Sequence, residues 1–431
     1  MARARGPHEP EASEATKPAV ALRYGAFRAY LAARMLGMTG LQVQAVAVGW
    51  QIYELTRDPL QLGYVGLAQF VPQLLLSLFA GELADRLDRK RIFAVCYALL
   101  TACTLGLAAL AAGGISKVSW YYVVLALVGA TRAFAGPAGQ ALTPTLVAPE
   151  HFANAVAWSS TVWHVAIVLG PALGGALYAW QGATTVYLFA AALEVVTVFA
   201  IASLPSQPRA PIAQASSWQR LSAGMRFVWR HQIVLGALSL DMFAVLLGGA
   251  VALLPVYARD ILEVGPTGLG LLRSAPALGA TLMAVVLAVR PIVRRAGPVL
   301  FACVAVFGAA TVVFGLSKSF ALSLAALLVA GAADMVSVFV RHTLVQLGTP
   351  DAMRGRVSAV NLAFIGASNE LGEFESGLAA AWLGIVWAVV TGGIATIGVV
   401  VAWAWLFPSL RRVDRLDAGA LAPPPRALDA S

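Results

Sequence analysis

Asp241, Asp334, Glu194, Glu370, Glu373 and Glu375 are acids set inside long apolar runs, and Arg34, Arg132, Arg273 and His164 are bases in the same surroundings. A charge at such depth costs several kcal/mol unless it meets a partner or a wet cavity. A carboxylate there is costly to ionise, so it can carry a proton near neutral pH. Proton transfer is the chemistry this set could do. Glu370 and Glu373 share one helical face. Glu194 reads more simply as a packing or lipid-edge residue, and His164 as a hydrogen-bonded packing residue. The sequence carries no Ser-centred nucleophile motif, no metal-ligand spacing and no Walker-type Gly-rich loop, so we expect no enzyme, no ATP hydrolysis, no metal and no cofactor. Cys96, Cys103 and Cys303 fall inside apolar runs at spacings that fit neither a zinc site nor a disulfide framework. Trp50, Tyr53, Phe70, Phe134, Trp158, Trp163, Phe243 and Phe364 could line a site for a bulky amphiphile. Packing and interfacial belts explain most of them equally well.

The elements that must hold these groups follow from composition. Of 431 residues, 59% are hydrophobic and only 12% charged, half the charge of a soluble domain. The bilayer is the natural solvent for such a chain, and about 20 apolar residues in a helix cross it. Twelve runs qualify, near 27–55, 60–84, 92–113, 119–143, 152–180, 183–204, 233–258, 266–289, 298–316, 319–341, 355–384 and 385–407. The expected fold is an all-α membrane protein of twelve transmembrane helices. An even number of spans puts both termini on one side. That side receives Arg86, Arg89, Lys90, Arg91, Arg220, Arg226, Arg230, Arg341 and most other basic residues, while the other keeps only Arg57, Lys117, Arg259 and Lys318. The asymmetry places the termini in the cytoplasm of a cell with this protein in its inner (plasma) membrane. The net charge of +9 is then a topology signal. The basic residues are scattered over several segments, which argues against nucleic-acid binding.

The chain divides into an N-tail (1–26), six spans (27–205), a linker (206–232), six spans (233–407) and a C-tail (408–431). Neither tail holds an apolar core of signal-peptide type. In the linker, "SWQRLSAGMRFVWRHQ" sets Trp218, Leu221, Met225, Val228 and Trp229 at helical spacing. It reads as a basic amphipathic helix on the membrane surface, or as a plain linker helix. The halves echo each other. "LVAPEHFANAVAWSS" matches "LGTPDAMRGRVSAVN", with Pro149 over Pro350, and "LADRLDRKR" matches "LAVRPIVRR", with Arg91 over Arg295. Such repeats imply a pseudo-two-fold axis along the membrane normal with a pathway between the halves.

Twelve spans in two halves, with "GELADRLDRKR" between spans two and three, resemble the major facilitator superfamily. "FRAYLAARMLGMTG", "VAVGWQIYELT" and "LGYVGLAQFVPQLLLSLFAGELADRLDRKR" are similar to its enterobactin-exporter-like branch. Gly81, Leu83, Asp85, Arg86, Arg89 and Lys90 match the family's loop pattern, and Asp88 replaces its second Gly. The resemblance implies a conformational latch at Gly81, Asp85, Arg86, Arg89 and Lys90. Plain positive-inside anchoring explains Arg89, Lys90 and Arg91 but not Asp85. "VLGPALGGAL" in span five resembles the antiporter signature. Gly170, Pro171, Gly174 and Gly175 would then form a gate helix sealing the cytoplasmic end, the alternative being ordinary small-residue packing. Arg132 resembles the span-four Arg tied to proton movement, the alternative being a structural Arg paired to Gln42 or Gln44. Spans one, four, seven and ten line the cavity in this superfamily, which favours Arg34, Arg132, Asp241 and Asp334 for proton coupling.

The function these features imply is a proton-coupled exporter of a small amphiphile such as a siderophore or drug, working by alternating access as a monomer. Its partners would be a small-molecule substrate, protons and the lipid bilayer. A lipid or lysolipid transporter is the alternative, and would need a cavity open sideways to the bilayer. An importer is a further alternative, because the same fold runs both ways, and a non-transporting receptor is disfavoured because no stretch is long enough for a folded module outside the membrane.

Overall fold

The computed structural model describes residues 19–205 and 217–416, except that the side chains of 78, 81, 82, 84–86 and 217–220 are not described. A chain in hydrocarbon must satisfy every backbone polar group internally, and helices do so within one segment. The first half holds α1 (Gly25–Thr56), α2 (Pro59–Arg86), α3 (Arg89–Ala112), α4 (Val118–Leu142) and a long helical stretch, Phe152–Ala202. That stretch is interrupted at Gly182, whose φ is 73° and ψ −173°. Before the interruption, Gly170 and Gly174 face Gln42 and Val43 of α1 in parallel order. After it, Tyr187 donates to Gln51, and Thr197 donates to the Ala33 carbonyl, in the reverse order. The chain therefore turns back on one residue, giving α5 (152–181) and α6 (183–202).

An amphipathic helix, α7 (Ser217–Arg230), leads into the second half. There follow α8 (Gln232–Gly248), α9 (Gly265–Val289), α10 (Ala296–Leu316), α11 (Phe320–Leu347), α12 (Asp351–Leu383) and α13 (Ile385–Leu406). α12 and α13 meet at Gly384, with φ 82°, which reverses the chain as Gly182 does. Only glycine enters this positive-φ, extended-ψ region without strain. Among the described residues, nine helical stretches are long and apolar enough to cross a membrane, and Phe152–Ala202, one of them, crosses twice. α2 and α12 have the length, at 28 and 33 residues, but carry more polar groups.

Local signals explain the ends. Asp58 caps α2 by accepting from the Leu60 amide at 2.9 Å, with Pro59 at the first helical position. Asp88, the departure from the family's loop pattern, is the N-cap of α3 and accepts from the Lys90 amide at 2.9 Å. Asp is among the best residues for that position. α7 does not lie free on a surface. Val228 is fully buried and packs with Leu221 and Met225 against Val234, Leu238, Val357 and Val360 of α8 and α12.

The cores show how the halves meet. At the end carrying the termini each half has its own core, around Phe27, Tyr30 and Leu142 in the first and around Leu240, Leu300 and Leu344 in the second. At the opposite end one core runs through both, joining Val46, Tyr53 and Tyr187 to Leu253, Tyr257 and Leu269. The halves are thus joined at the far end and separate toward the termini.

Candidate functional site

Between the halves lies a cavity of about 740 Å³, lined by residues from both. α8 is broken where it lines this space. Helical geometry stops at Gly248, Gly249 is extended with ψ 90°, and the chain resumes through Val251–Leu253, Leu254–Val256 and a wide π turn at Tyr257–Ile261. Ser376 of α12 donates to the Gly249 carbonyl at 2.7 Å, satisfying a group the break frees. Irregular backbone at this depth is tolerated where it borders a cavity and protein groups complete its hydrogen bonds. The sequence signal was "LLGGAVALLP", whose paired glycines we read only as part of an apolar run.

Charged groups enter the cavity from opposite walls. Arg34 and Arg132 line it from the first half; Arg273, Asp334, Glu370 and Glu373 line it from the second. Arg132 donates to Gln69 of α2 at 3.3 Å rather than to Gln42 or Gln44. Arg34 donates to the Tyr30 hydroxyl at 3.1 Å, and Tyr30 donates to the Gly139 carbonyl at 2.8 Å. Glu370 and Glu373 feel both Arg132 and Arg273, so the acids of α12 bridge the two halves electrostatically. Glu373 lies against Gly66 of α2, where a Cβ would stand 2.8 Å from its Oε2. These two acids and Arg273 belong to the site as fully as Asp334 does. The shared face of Glu370 and Glu373 was visible in the sequence, but placing span eleven at the cavity needs the packing.

Asp241 is placed differently from the expectation. It does not line the cavity. It is 6% exposed and pairs at 2.9 Å with Arg341. Arg341, assigned by sequence to a loop, is 5% exposed within α11 and also donates to Asn361 of α12 at 3.1 Å. The apolar run before it ends early, but the helix continues to Leu347. Asp334 lies within electrostatic reach of both Asp241 and Arg341. Asp241 alone makes the ion pair with Arg341, and Asp334 sits nearby at the cavity side. Removing one partner of such a buried pair costs about 3–5 kcal/mol.

The glycines of α5 face two helices. A Cβ on Gly170 would stand 2.6 Å from Gln42, and on Gly174 3.0 Å from the Val43 carbonyl, both on α1. On Gly175 it would stand 2.4 Å from the Pro266 carbonyl and 2.9 Å from Gly270 of α9, in the other half. The Pro171 carbonyl faces Gly270, and Ser274 donates to the Val168 carbonyl at 2.7 Å. We expected this face to seal the end near the termini. It lies instead toward the Gly182 turn, in the joined end, because Gly175 is only seven residues from that turn.

Beyond the glycine contact an ion-pair layer covers the joined end. Arg57 meets Asp260 at 3.6 Å and Arg259 meets Glu54 at 3.5 Å, each pair crossing between halves. Tyr53 donates to Asp260, Tyr178 donates to Glu54 at 2.9 Å, and Arg259 lies over Trp50 at 5.5 Å. Sequence reasoning treated Arg57 and Arg259 only as sparse loop charge.

The side chains of Gly81, Asp85 and Arg86 lie outside the described residues. Arg89 and Lys90 do not reach the second half. Arg89 donates to the Ala141 carbonyl at 3.2 Å, and Lys90 donates to the Leu204 carbonyl. Both are carbonyls at C-terminal helix ends, where cations are favoured.

Two helical halves, joined at one end around a charged cavity and separate at the other, define a transporter of the major facilitator superfamily, and not an enzyme. The family described as transmembrane secretion effector matches residues 16–430, and the chain belongs to it. The enterobactin exporter EntS of Shigella boydii serotype 18 is 29% identical over 345 residues, covering 78% of this chain and 80% of that protein. EntS of Escherichia coli O9:H4 gives the same figures. In fold, the chain resembles a bacterial homologue of the human lysosomal transporter Spinster in its inward-facing, unoccupied conformation, with TM-score 0.71 and 15% identity, covering 93% of this chain and 98% of that one. It also resembles a bacterial homologue of the iron transporter ferroportin in its inward-facing state, with TM-score 0.68 and 17% identity over 89% and 99% of the two chains. The chain is a multi-pass membrane protein.

Proposed function

We propose that the chain is a proton-coupled exporter, moving a small amphiphile of siderophore or drug type out of the cytoplasm by alternating access. The observation that carries this reading is the cavity between the halves, where Asp334, Glu370 and Glu373 face Arg132 and Arg273. Desolvation draws a buried acid toward the neutral form, and a nearby cation draws it toward the ionised one. Proton binding then favours one facing state and substrate binding the other, which is the reciprocity that exchange requires. The basic residues crowd the end bearing the termini, so we place that end in the cytoplasm. The halves separate on that side, so substrate loads from within. The names of the EntS relatives support export and a siderophore-like cargo.

Asp334 is the first choice for the exchanged proton, with Asp241 acting behind it through Arg341. The test is a vesicle assay with an imposed pH gradient and a panel of siderophores, dyes and lysolipids. Asp334→Asn is expected to abolish pH-driven efflux, while substrate binding persists and becomes independent of pH. Full pH-driven efflux by this variant would remove Asp334 from the mechanism.

A further inference from the structure

Glu194 of α6 has no relative exposure, and neither of its carboxyl oxygens has a hydrogen-bond partner. Expected to be a packing or lipid-edge residue, it lies inside the first half, against Gly40 of α1. Thr104 of α3 is the hydroxyl beside it; it is placed to donate to the Leu100 carbonyl at 3.0 Å and would turn from there to donate to an ionised Glu194. A bare ionised carboxylate at such depth costs several kcal/mol and would not persist without a partner.

The second half shows what packing alone demands at this place. Thr396 lies twelve residues past Gly384, as Glu194 lies twelve past Gly182. Thr396 packs against Gly308 of α10 and donates to the Ala244 carbonyl of α8 at 3.2 Å. A small, satisfied hydroxyl fills the same niche between the matching three helices. Tyr97 differs from its counterpart in the same sense. It lies six residues past Arg91, as Phe301 lies six past Arg295, and both rings are buried. The first half therefore carries a carboxyl and a phenol hydroxyl that the repeat does without.

Those two extra groups are neighbours. A Cβ on Gly37 would stand 2.5 Å from the Tyr97 hydroxyl, and one on Gly40 would stand 3.4 Å from Cγ of Glu194. Gly37 and Gly40 are one helical turn apart on α1, so the two groups lie along one face of that helix, within electrostatic reach of each other. Tyr97 lines the cavity, within electrostatic reach of Arg34 and Arg132 as well as Glu194. The titratable and charged groups that face Glu194 are thus Tyr97 and Cys103 from α3, with Arg34 of α1 and Arg132 of α4 beyond Tyr97.

We propose that Glu194 is a proton-binding site of the first half, loaded and emptied from the cavity past the Tyr97 hydroxyl. It rests on the reading of the chain as a proton-coupled transporter. In the outward step the carboxyl O–H bond breaks, and its proton passes to the Tyr97 oxygen, directly or through a water. The phenol O–H proton leaves in turn to cavity water. Tyr97 ends as it began, and Glu194 ends as the carboxylate, toward which the neighbouring Thr104 hydroxyl turns to donate.

The second half supplies the variants, because Glu194→Thr and Tyr97→Phe each install what the repeat already tolerates. Purified protein in lipid nanodiscs is examined by infrared difference spectroscopy through a pH jump. The wild type should show a protonated-carboxyl carbonyl band that Glu194→Thr removes, and that Glu194→Gln removes as well should the threonine variant fold poorly. Tyr97→Phe should keep the band but slow its response at least ~10-fold, as loss of a positioned proton carrier does. An unchanged set of carboxyl bands in both Glu194 variants overturns the proposal, and an unslowed response in Tyr97→Phe overturns the route. Absent pH-driven efflux in the wild type, with the Glu194 band present and lost in the variants, would instead defeat the exporter reading and leave the proton site standing.

Discussion

α1 and α8 open the two halves, and they have diverged most visibly at the cavity. α1 runs unbroken for 32 residues. α8 stops after 17, at Gly248, and resumes through a 3-10 turn, one short α turn and a π turn. The buried acids divide the same way. In the second half Asp241 is paired with Arg341, whereas in the first Glu194 has no partner. The turns, by contrast, are kept, with one glycine at Gly182 and one at Gly384. The comparison teaches that the repeat preserves what builds the scaffold, and that the halves differ where charge and freed backbone meet the cavity.

Breaking the pair in the second half should have the largest effect. Arg341→Leu leaves Asp241 buried without its guanidinium and should cost about 3–5 kcal/mol of stability. Thermal unfolding in detergent checks this. The double variant Asp241→Leu with Arg341→Leu should recover most of the loss, because two apolar residues of similar size replace a matched pair. If the double variant is no better than the single, the pair is not the cause.

Next in size is the contact between halves on α5. Gly175→Leu places a side chain where the Pro266 carbonyl is only 2.4 Å from its Cβ. The joined end should fail to close, and transport should fall by ~10-fold or more, as overpacking costs of about 1–3 kcal/mol imply. Cysteine labelling from the far side would report the opening. Gly170→Leu strains packing within the first half only, and should lower stability without that labelling change.

The smallest effect belongs to the outer ion pairs. Arg57 is 57% exposed at its side chain, and pairs of this kind contribute about 1 kcal/mol or less. Arg57→Ala should shift the balance of facing states severalfold at most, and the shift should shrink as salt rises. A spin-label distance measurement across the joined end would register it. A complete loss of closure would mean that the pairs, rather than the shared core, hold the halves together.

The runs of apolar residues made the helices legible, and even the turns inside Phe152–Ala202 and between α12 and α13 fell close to the expected gaps at 181–182 and 384–385. Periodicity carries that information because the bilayer fixes length and polarity together. Partner and depth were not legible. Arg341 looked like a loop residue because its run ends in charge, yet it faces Asp241 on a helix a hundred residues away in sequence. Glu194 looked peripheral because span number alone cannot tell which face of α6 meets α1. Glu370 and Glu373 were visible as a pair, but that α12 approaches α2 closely enough to set Glu373 on Gly66 depends on three-dimensional packing.

The single-glycine turn at Gly182 makes α5 a rigid beam with its fulcrum near one end. At 1.5 Å per residue, the Gly175–Gly270 contact lies about 10 Å from the turn and about 35 Å from Phe152. With no loop to absorb slack, α5 cannot slide without dragging α6. A rotation that parts the halves by a given amount at the short arm swings the long arm through about three times that distance. The mechanical advantage is fixed by where one pair of glycines sits along the beam.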